Sequence, residues 1–169
     1  VLAEAVRAVA GGDLPSPRAD FQLLWATGPA HVDDVRARVA PLALGWLHVV
    51  GYIEEMPEAL AATDVAVSRA GAMATAELLA WGIPAILVPL PTAAADHQRL
   101  NAEALERAGA AVHMPQSGLE PGRLWRELLS LAGDDARRQT MSRNARRRGN
   151  PDAARRIAGK LIELLPEAA

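Results

Sequence analysis

Apolar positions recur along this chain with two alternating periods. Leu2, Val6 and Val9 fall at helical spacing in a segment that opens at Val1 with no capping residue ahead of it, which reads as a helix entered partway. The chain is therefore expected to be the C-terminal part of something longer. Gly11 to Pro17 is a turn-rich break, and Phe21 to Ala26 is a short apolar run of strand length, closed by Thr27-Gly28-Pro29. His31 to Ala40 reads as a polar helix with Val32, Val35 and Val39 on one face. Trp46 to Val50 is a second strand, and Met56 to Ala62 a short helix.

The alternation continues. Asp64 to Ser68 is a third strand, Met73 to Trp81 a helix, Ile83 to Pro89 a fourth strand, Asp96 to Ala108 a helix and Ala110 to Met114 a fifth strand. Strands that are apolar nearly throughout and separated by helices predict an α/β domain, a Rossmann-like parallel sheet covered on both faces. Three helices follow, over 119–132, 136–148 and from Asn150-Pro151 onward. In the last, Asn150 is placed to cap, Pro151 suits the first helical position, and Ile157, Leu161 and Leu165 form a core-facing stripe. There is no internal repeat and no low-complexity tract.

Composition narrows the function classes. The 169 residues hold no cysteine, which removes disulfides and thiolate metal sites, and His31, His48 and His113 are too scattered to predict a metal site. Eighteen Lys and Arg against 20 Asp and Glu give a net charge of −2, and the six aromatic residues are dispersed, so neither a basic nor a stacking surface for nucleic acid is expected. No apolar run approaches the roughly 20 residues of a membrane span, and no charged-then-apolar stretch ends in a small-residue cleavage site.

The chemistry concentrates between Tyr52 and Asn101. Glu77 is the one charged side chain between Arg69 and Asp96, near the start of an uncharged helix. Two readings are open: a solvated carboxylate supporting the helix N-terminus, or an acceptor for the two hydroxyls of a ribose. Gly71 sits where strand three turns into that helix, and a bare backbone there lets a phosphate approach free N–H groups at the positive end of the helix dipole. The loop from Pro89 follows strand four and should open on the same crevice, with Asp96 as N-cap and His97, Gln98 and Asn101 in the first turns, able to meet sugar hydroxyls or simply water.

Taken in order, Gly51-Tyr52-Ile53-Glu54-Glu55-Met56, Asp64 to Ala72, Ala76-Glu77, Gly82 to Pro89, Asp96-His97-Gln98, Asn101-Ala102 and Ala108 to Ala111 strongly resemble one family over nearly the whole chain. It is the MurG family of glycosyltransferase family 28, and the matching part is the C-terminal, donor-binding domain of a two-domain GT-B enzyme. The resemblance implies inverting transfer of N-acetylglucosamine from UDP to lipid I, forming lipid II in bacterial peptidoglycan synthesis, at the cytoplasmic face of the membrane. It implies no cofactor, no metal and no catalytic residue in this half, since the base and the lipid I contacts belong to the other domain. By the same resemblance Ile53 reads the uracil edge, with Tyr52 and Met56 beside the base. Glu77 holds the ribose. Arg69, Ala70, Gly71, Ala72 and Met73 cradle the diphosphate, and His97 and Gln98 contact phosphate and sugar, supported by Asn101. The helices over 136–165 are expected to pack on, or cross toward, the N-terminal domain.

Two departures and two further features bear on this picture. Ala74 stands where the family usually has Thr, and Thr75 is turned about 100° away round the helix. The family's Gly-Gly-Ser turn, and the strand before it, are expected ahead of Val1, in the middle of the sheet. A chain without that strand leaves two neighbouring strands with unpaired backbone groups. No Asp-x-Asp motif occurs, in keeping with a diphosphate held by N–H groups and a helix dipole. Residues 137–160 carry nine basic side chains and one acidic, +8 in all, read either as solvated helices whose Arg stems cover apolar surface or as a surface for anionic lipid headgroups. Two other functions remain open: a stand-alone donor-binding subunit needing a membrane-bound partner, and a GT-B transferase of another UDP-sugar, such as a glycolipid synthase.

Overall fold

The computed structural model describes residues 1–164. Its strands are short and all pair in parallel. They are β1 (Leu23–Ala26), β2 (Leu47–Val50), β3 (Ala66–Ser68), β4 (Ala85–Leu87) and β5 (Ala111–His113). Helices fill the intervals: α1 (Leu2–Gly11), α2 (Val32–Val39), α3 (Met56–Ala61), α4 (Ala72–Trp81), α5 (His97–Arg107), α6 (Pro121–Gly133), α7 (Asp135–Arg148) and α8 (Ala153–Glu163). Every element predicted from periodicity is present, with strand ends trimmed by at most two residues. None of the described helices is long and apolar enough to cross a membrane.

The centre is β4, buried along its length. Because side chains alternate across a strand, Ile86 points into one apolar layer while Ala85 and Leu87 point into the other. The Ile86 layer joins Ala5 and Val9 of α1 to Leu124, Trp125, Leu128 and Leu131 of α6 and Met141 of α7. The opposite layer holds Leu78 of α4 and Ala102 of α5, with Leu60 of α3 packed against it. Small residues at Ala85, Ala102 and Ala111 let α5 lie close to the sheet.

Three of the six dispersed aromatic residues meet in space. Phe21, Trp46 and Trp125 have ring centroids 5.5–5.9 Å apart, two of the pairs edge-on. Trp125 is wholly buried, and its indole N–H donates to the Pro15 carbonyl at 2.8 Å. That bond ties the turn after α1 to α6.

The parallel strands form two sheets, β1 with β2 and β3 with β4 and β5, the interruption expected of a chain without the strand between them. Three expectations are corrected. The last helix starts later than Asn150-Pro151 predicts, with Asp152 at its N-cap position, because Asn150 accepts from the Ala153 N–H through its carbonyl. Asp96 occupies the N-cap position of α5 without capping it; its carboxylate is taken by Arg99. Ile157 and Leu161 do not face the core, being 61% and 60% exposed, and Leu165 lies outside the described residues.

α7 docks on this domain: Met141 and Ala145 are buried, and Asn144 donates to the Gly109 carbonyl at 3.1 Å. At the corner after α7, a Cβ on Gly149 would lie 2.7 Å from the Leu79 carbonyl oxygen, so the chain passes α4 at a distance only glycine permits. Gly149→Ala should therefore lower the thermal midpoint. Gly159→Ala, in the middle of α8 with open space around it, should be neutral or stabilising by about 0.5–1 kcal/mol, read by denaturant unfolding. Ile86→Ala should cost about 2–5 kcal/mol in the same measurement, because it opens a cavity at a fully buried position.

Candidate functional site

The carboxyl ends of β3 and β4 and the start of α4 meet at one end of the sheet, the edge where parallel α/β sheets gather ligands. β3 ends at Ser68, and Gly71 occupies the N-cap position of α4 with ordinary extended backbone, φ −67° and ψ 149°. No side chain caps this helix. The first intrahelical bond of the turn is from the Thr75 N–H to the Gly71 carbonyl at 3.0 Å, which leaves the N–H groups of Ala72, Met73 and Ala74 directed out of the helix end. A Cβ at Gly71 would touch nothing within 4 Å. The fold does not need glycine there, and the space it leaves is open to a ligand.

Glu77 is the sixth residue of α4, exposed, with no side-chain hydrogen bond or ion pair among the described residues. It lies about 7.5 Å along the axis from Ala72 and beyond the first turn, where the dipole effect fades. Support of the helix N-terminus therefore does not account for it. Its carboxylate stands free one and a half turns from the uncapped end of α4. Thr75 faces inward: it is buried, and its hydroxyl donates to the carbonyls of Gly71 at 2.9 Å and Ala72 at 3.1 Å. It fixes the turn, and Ala74 lines the groove.

The turn is held from three directions. Ala70 is fully buried, and its carbonyl accepts from the Asn101 side chain of α5 at 3.0 Å. Arg69 reaches across to the loops after β4 and β5, donating to the carbonyls of Val88 at 3.1 Å and Pro89 at 3.3 Å and to Gln116 Oε1 at 2.5 Å. Gln98 accepts from the Leu90 N–H at 3.0 Å through its carbonyl oxygen, so its NH₂ group remains available to a ligand. His97 has Nδ1 within 2.6 Å of the Ala94 carbonyl, which fixes the ring and leaves Nε2 toward solvent. The loop carrying these groups has Ala95 and Asp96 in succession at φ 46° and 55°, a left-handed conformation uncommon for residues with a Cβ. Arg99 stands between Asp96 and Glu103, and those two carboxylates, Asp96 first, hold its guanidinium above its ordinary pKa.

The groove beside α4, about 1540 Å³ in volume, is lined at this end by Ile53, Met56, Arg69, Ala74 and Glu77. Tyr52 is not among its walls: it is 65% exposed and lies outside the groove, as does Met73 at 79%. Ala70, Gly71, Ala72, His97, Gln98 and Asn101 border the helix mouth rather than the groove. Gln116 is the residue that sequence reasoning missed. It sits just beyond β5, and the rule that placed Gly71 and His97 at carboxyl strand ends would have found it had it been applied to this third loop.

Comparison with known proteins identifies the family and the fold. Residues 1–157 match the family model described as the glycosyltransferase family 28 C-terminal domain. The UDP-N-acetylglucosamine–N-acetylmuramyl-(pentapeptide) pyrophosphoryl-undecaprenol N-acetylglucosamine transferase of Salinibacter ruber is 44% identical over 145 residues, which cover 86% of this chain and 38% of that protein. The transferase of the same name from Lacticaseibacillus casei is 38% identical over 148 residues, 88% of this chain and 40% of that one. The chain thus spans about two fifths of the length of these curated relatives. The crystal structure of Acinetobacter baumannii MurG superposes with a TM-score of 0.76 at 27% identity, over 97% of this chain and 49% of that one. The glycosyltransferase VinC, crystallised with dTDP, shares the fold at 19% identity and a TM-score of 0.67, over 96% of this chain and 37% of that one. Because that family model spans residues 1–157 and the relatives are up to 44% identical, this chain belongs to the glycosyltransferase family 28 C-terminal domain family.

Proposed function

We propose that this chain binds UDP-N-acetylglucosamine and is the donor half of an inverting transfer of N-acetylglucosamine to the hydroxyl of lipid I, yielding lipid II. The observation that carries the reading is the pairing of an uncapped helix mouth at Gly71 with the unpartnered carboxylate of Glu77 on the same helix. The diphosphate lies on the N–H groups of Ala72, Met73 and Ala74, whose dipoles point at the charge that grows on the leaving UDP as the glycosidic bond breaks. Glu77 accepts from the two ribose hydroxyls. Ile53 and Met56, on the same groove wall, bracket the uracil. Gln98 and His97, each already anchored to a backbone group, present their remaining polar atoms to the phosphate and sugar.

Asn101 and Arg69 act through the backbone. Asn101 fixes the Ala70 carbonyl and Arg69 locks the loops after β4 and β5, so the helix mouth is shaped before the ligand arrives. The names of the curated relatives support the donor and the acceptor class, since each states transfer of N-acetylglucosamine to a pyrophosphoryl-undecaprenol carrier. The acceptor lipid, the catalytic base and the cytoplasmic membrane face belong to the remainder of such an enzyme. The exposed Ile157, Leu161 and Ile162 of α8 supply an apolar face for that other domain to cover.

UDP should raise the thermal midpoint of the chain. Glu77→Ala should weaken UDP binding about 10–100-fold in calorimetry, the loss of a charge-assisted pair of hydrogen bonds, with the unliganded midpoint unchanged. Unchanged affinity would remove the ribose assignment. Gly71→Ala should leave the unliganded midpoint nearly unaltered, since the added methyl meets no protein atom, and should still abolish most of the UDP-dependent shift. Equal protection by UDP-galactose and UDP-N-acetylglucosamine would argue for a transferase of another sugar.

A further inference from the structure

Gln116, exposed on the loop after β5, stands between two anchors in the core. Met114 is buried and donates its N–H to the Leu87 carbonyl at 2.9 Å, and Leu119 is buried in the same apolar layer. The Gln116 carbonyl accepts from the Leu119 N–H at 3.2 Å, closing a turn whose third residue, Gly118, has φ 70°. The backbone at Gln116 is thereby held from both sides, while its side chain reaches the groove.

That side chain has one partner. Its Oε1 lies 2.5 Å from Arg69 Nη1, which also donates to the carbonyls of Val88 at 3.1 Å and Pro89 at 3.3 Å. Arg69 is fixed at its own backbone too: the Ser68 carbonyl before it accepts from the Val88 N–H at 2.9 Å, and Ala70 after it is fully buried. All three acceptors of Arg69 are uncharged. Arg99, Arg137 and Arg138 each reach a carboxylate, whereas none lies within ion-pair distance of Arg69 among the described residues. A guanidinium does not lose its proton, so Arg69 keeps a full positive charge. Its Cα is within about 7 Å of that of Gly71, two residues on, which is less than the Debye length of about 8 Å at physiological ionic strength.

The residue type at position 116 separates two roles. A glutamate there would accept the same bond more strongly, because a charge-assisted hydrogen bond exceeds a neutral one, and would tie the loops after β3 and β5 at least as well. It would also neutralise Arg69. An amide fixes the guanidinium and leaves its charge intact. We propose that Gln116 is a positioning residue of the donor site, a neutral clamp that holds Arg69 beside the uncapped end of α4 so that its charge acts on the diphosphate of a nucleotide sugar. This rests on the nucleotide reading of the helix mouth and adds the group that sets where the positive charge stands. The N–H groups of α4 and the Arg69 charge then act on the same anion from adjacent positions of one turn.

The test compares UDP with uridine, which lacks the phosphates, as ligands of the full 169-residue chain in NMR titrations, with thermal midpoints measured in the absence of ligand. Gln116→Glu should weaken UDP about 3–30-fold, the Coulomb effect of one added negative charge about 8 Å away. It should change uridine affinity by less than about twofold and leave the midpoint unchanged or higher. Gln116→Met, close in size but without the acceptor, should weaken UDP about 3–10-fold and cause no further loss when Arg69 is already replaced by methionine. A residue that only ties loops gives the opposite pattern: Gln116→Glu harmless, and Gln116→Met lowering the midpoint and weakening UDP and uridine alike. That pattern would overturn the proposal, as would additive losses in the Arg69→Met, Gln116→Met pair. Firm UDP binding that Gln116→Glu leaves unchanged would overturn the clamp alone, whereas an unsubstituted chain that binds no UDP would overturn the nucleotide reading and the clamp with it.

Discussion

A parallel sheet buried on both faces has to be apolar on both faces, and β4 is where this chain meets that demand. Ile86 on one side and Ala85 and Leu87 on the other link two helical layers through three residues. The remaining elements are arranged by which layer they serve: α1, α6 and α7 against Ile86, and α3, α4 and α5 against Leu87. The carboxyl end of the same strand then fixes where the loop from Val88 to Asp96 begins, and thereby brings Gln98 and Asn101 opposite the Gly71 turn. Fold and site share a single strut.

At that edge the polar side chains divide into two kinds. Asn101, Arg69 and Thr75 spend their hydrogen-bonding capacity on backbone carbonyls and so give the helix mouth one conformation. Glu77, the Gln98 amide and His97 Nε2 keep unused capacity facing outward. Preorganised donors facing an empty space are what stabilisation of a leaving diphosphate needs, since little reorganisation is left for the moment of reaction. On the proposed reading, a neutral set of N–H dipoles at a helix end would hold a diphosphate without a cluster of basic side chains.

The basic residues lie elsewhere and serve several ends. Arg137 pairs with Glu127 at 2.7 Å, and Arg138 binds the carbonyls at the end of α6, so both join α7 to α6. Arg146 packs its stem over Gly82, where a Cβ would lie 2.6 Å from its Cγ. Arg137 and Arg138 thus act through their guanidinium groups, whereas Arg146 lays its stem against the backbone at Gly82. Arg147, Arg148, Arg155 and Arg156 are exposed around the α7–α8 corner and keep their positive charge on the surface next to the uncovered apolar side chains of α8.

Local sequence determined the elements and their order. Apolar period and turn residues are properties of a few neighbouring positions, which is why each strand and helix, the turn at Gly71 and the isolated carboxylate of Glu77 were legible. The resemblance of the 52–101 segment to a nucleotide-sugar family added the expected roles. What local sequence did not determine was pairing at a distance. Three dispersed aromatic residues became a cluster because α6 returns beneath β1 and β2. Asp96 became a partner of Arg99 instead of a cap. The periodic stripe of α8 stayed exposed, because amphipathicity states that a face wants covering and not which surface will cover it. Arg69 turned to Gln116, 47 residues away, because the carboxyl ends of β3, β4 and β5 converge there. The sequence by itself determined which groups could bond or be buried; only the tertiary structure decided with whom, since hydrogen bonds and packing depend on through-space distances that the folded sheet sets.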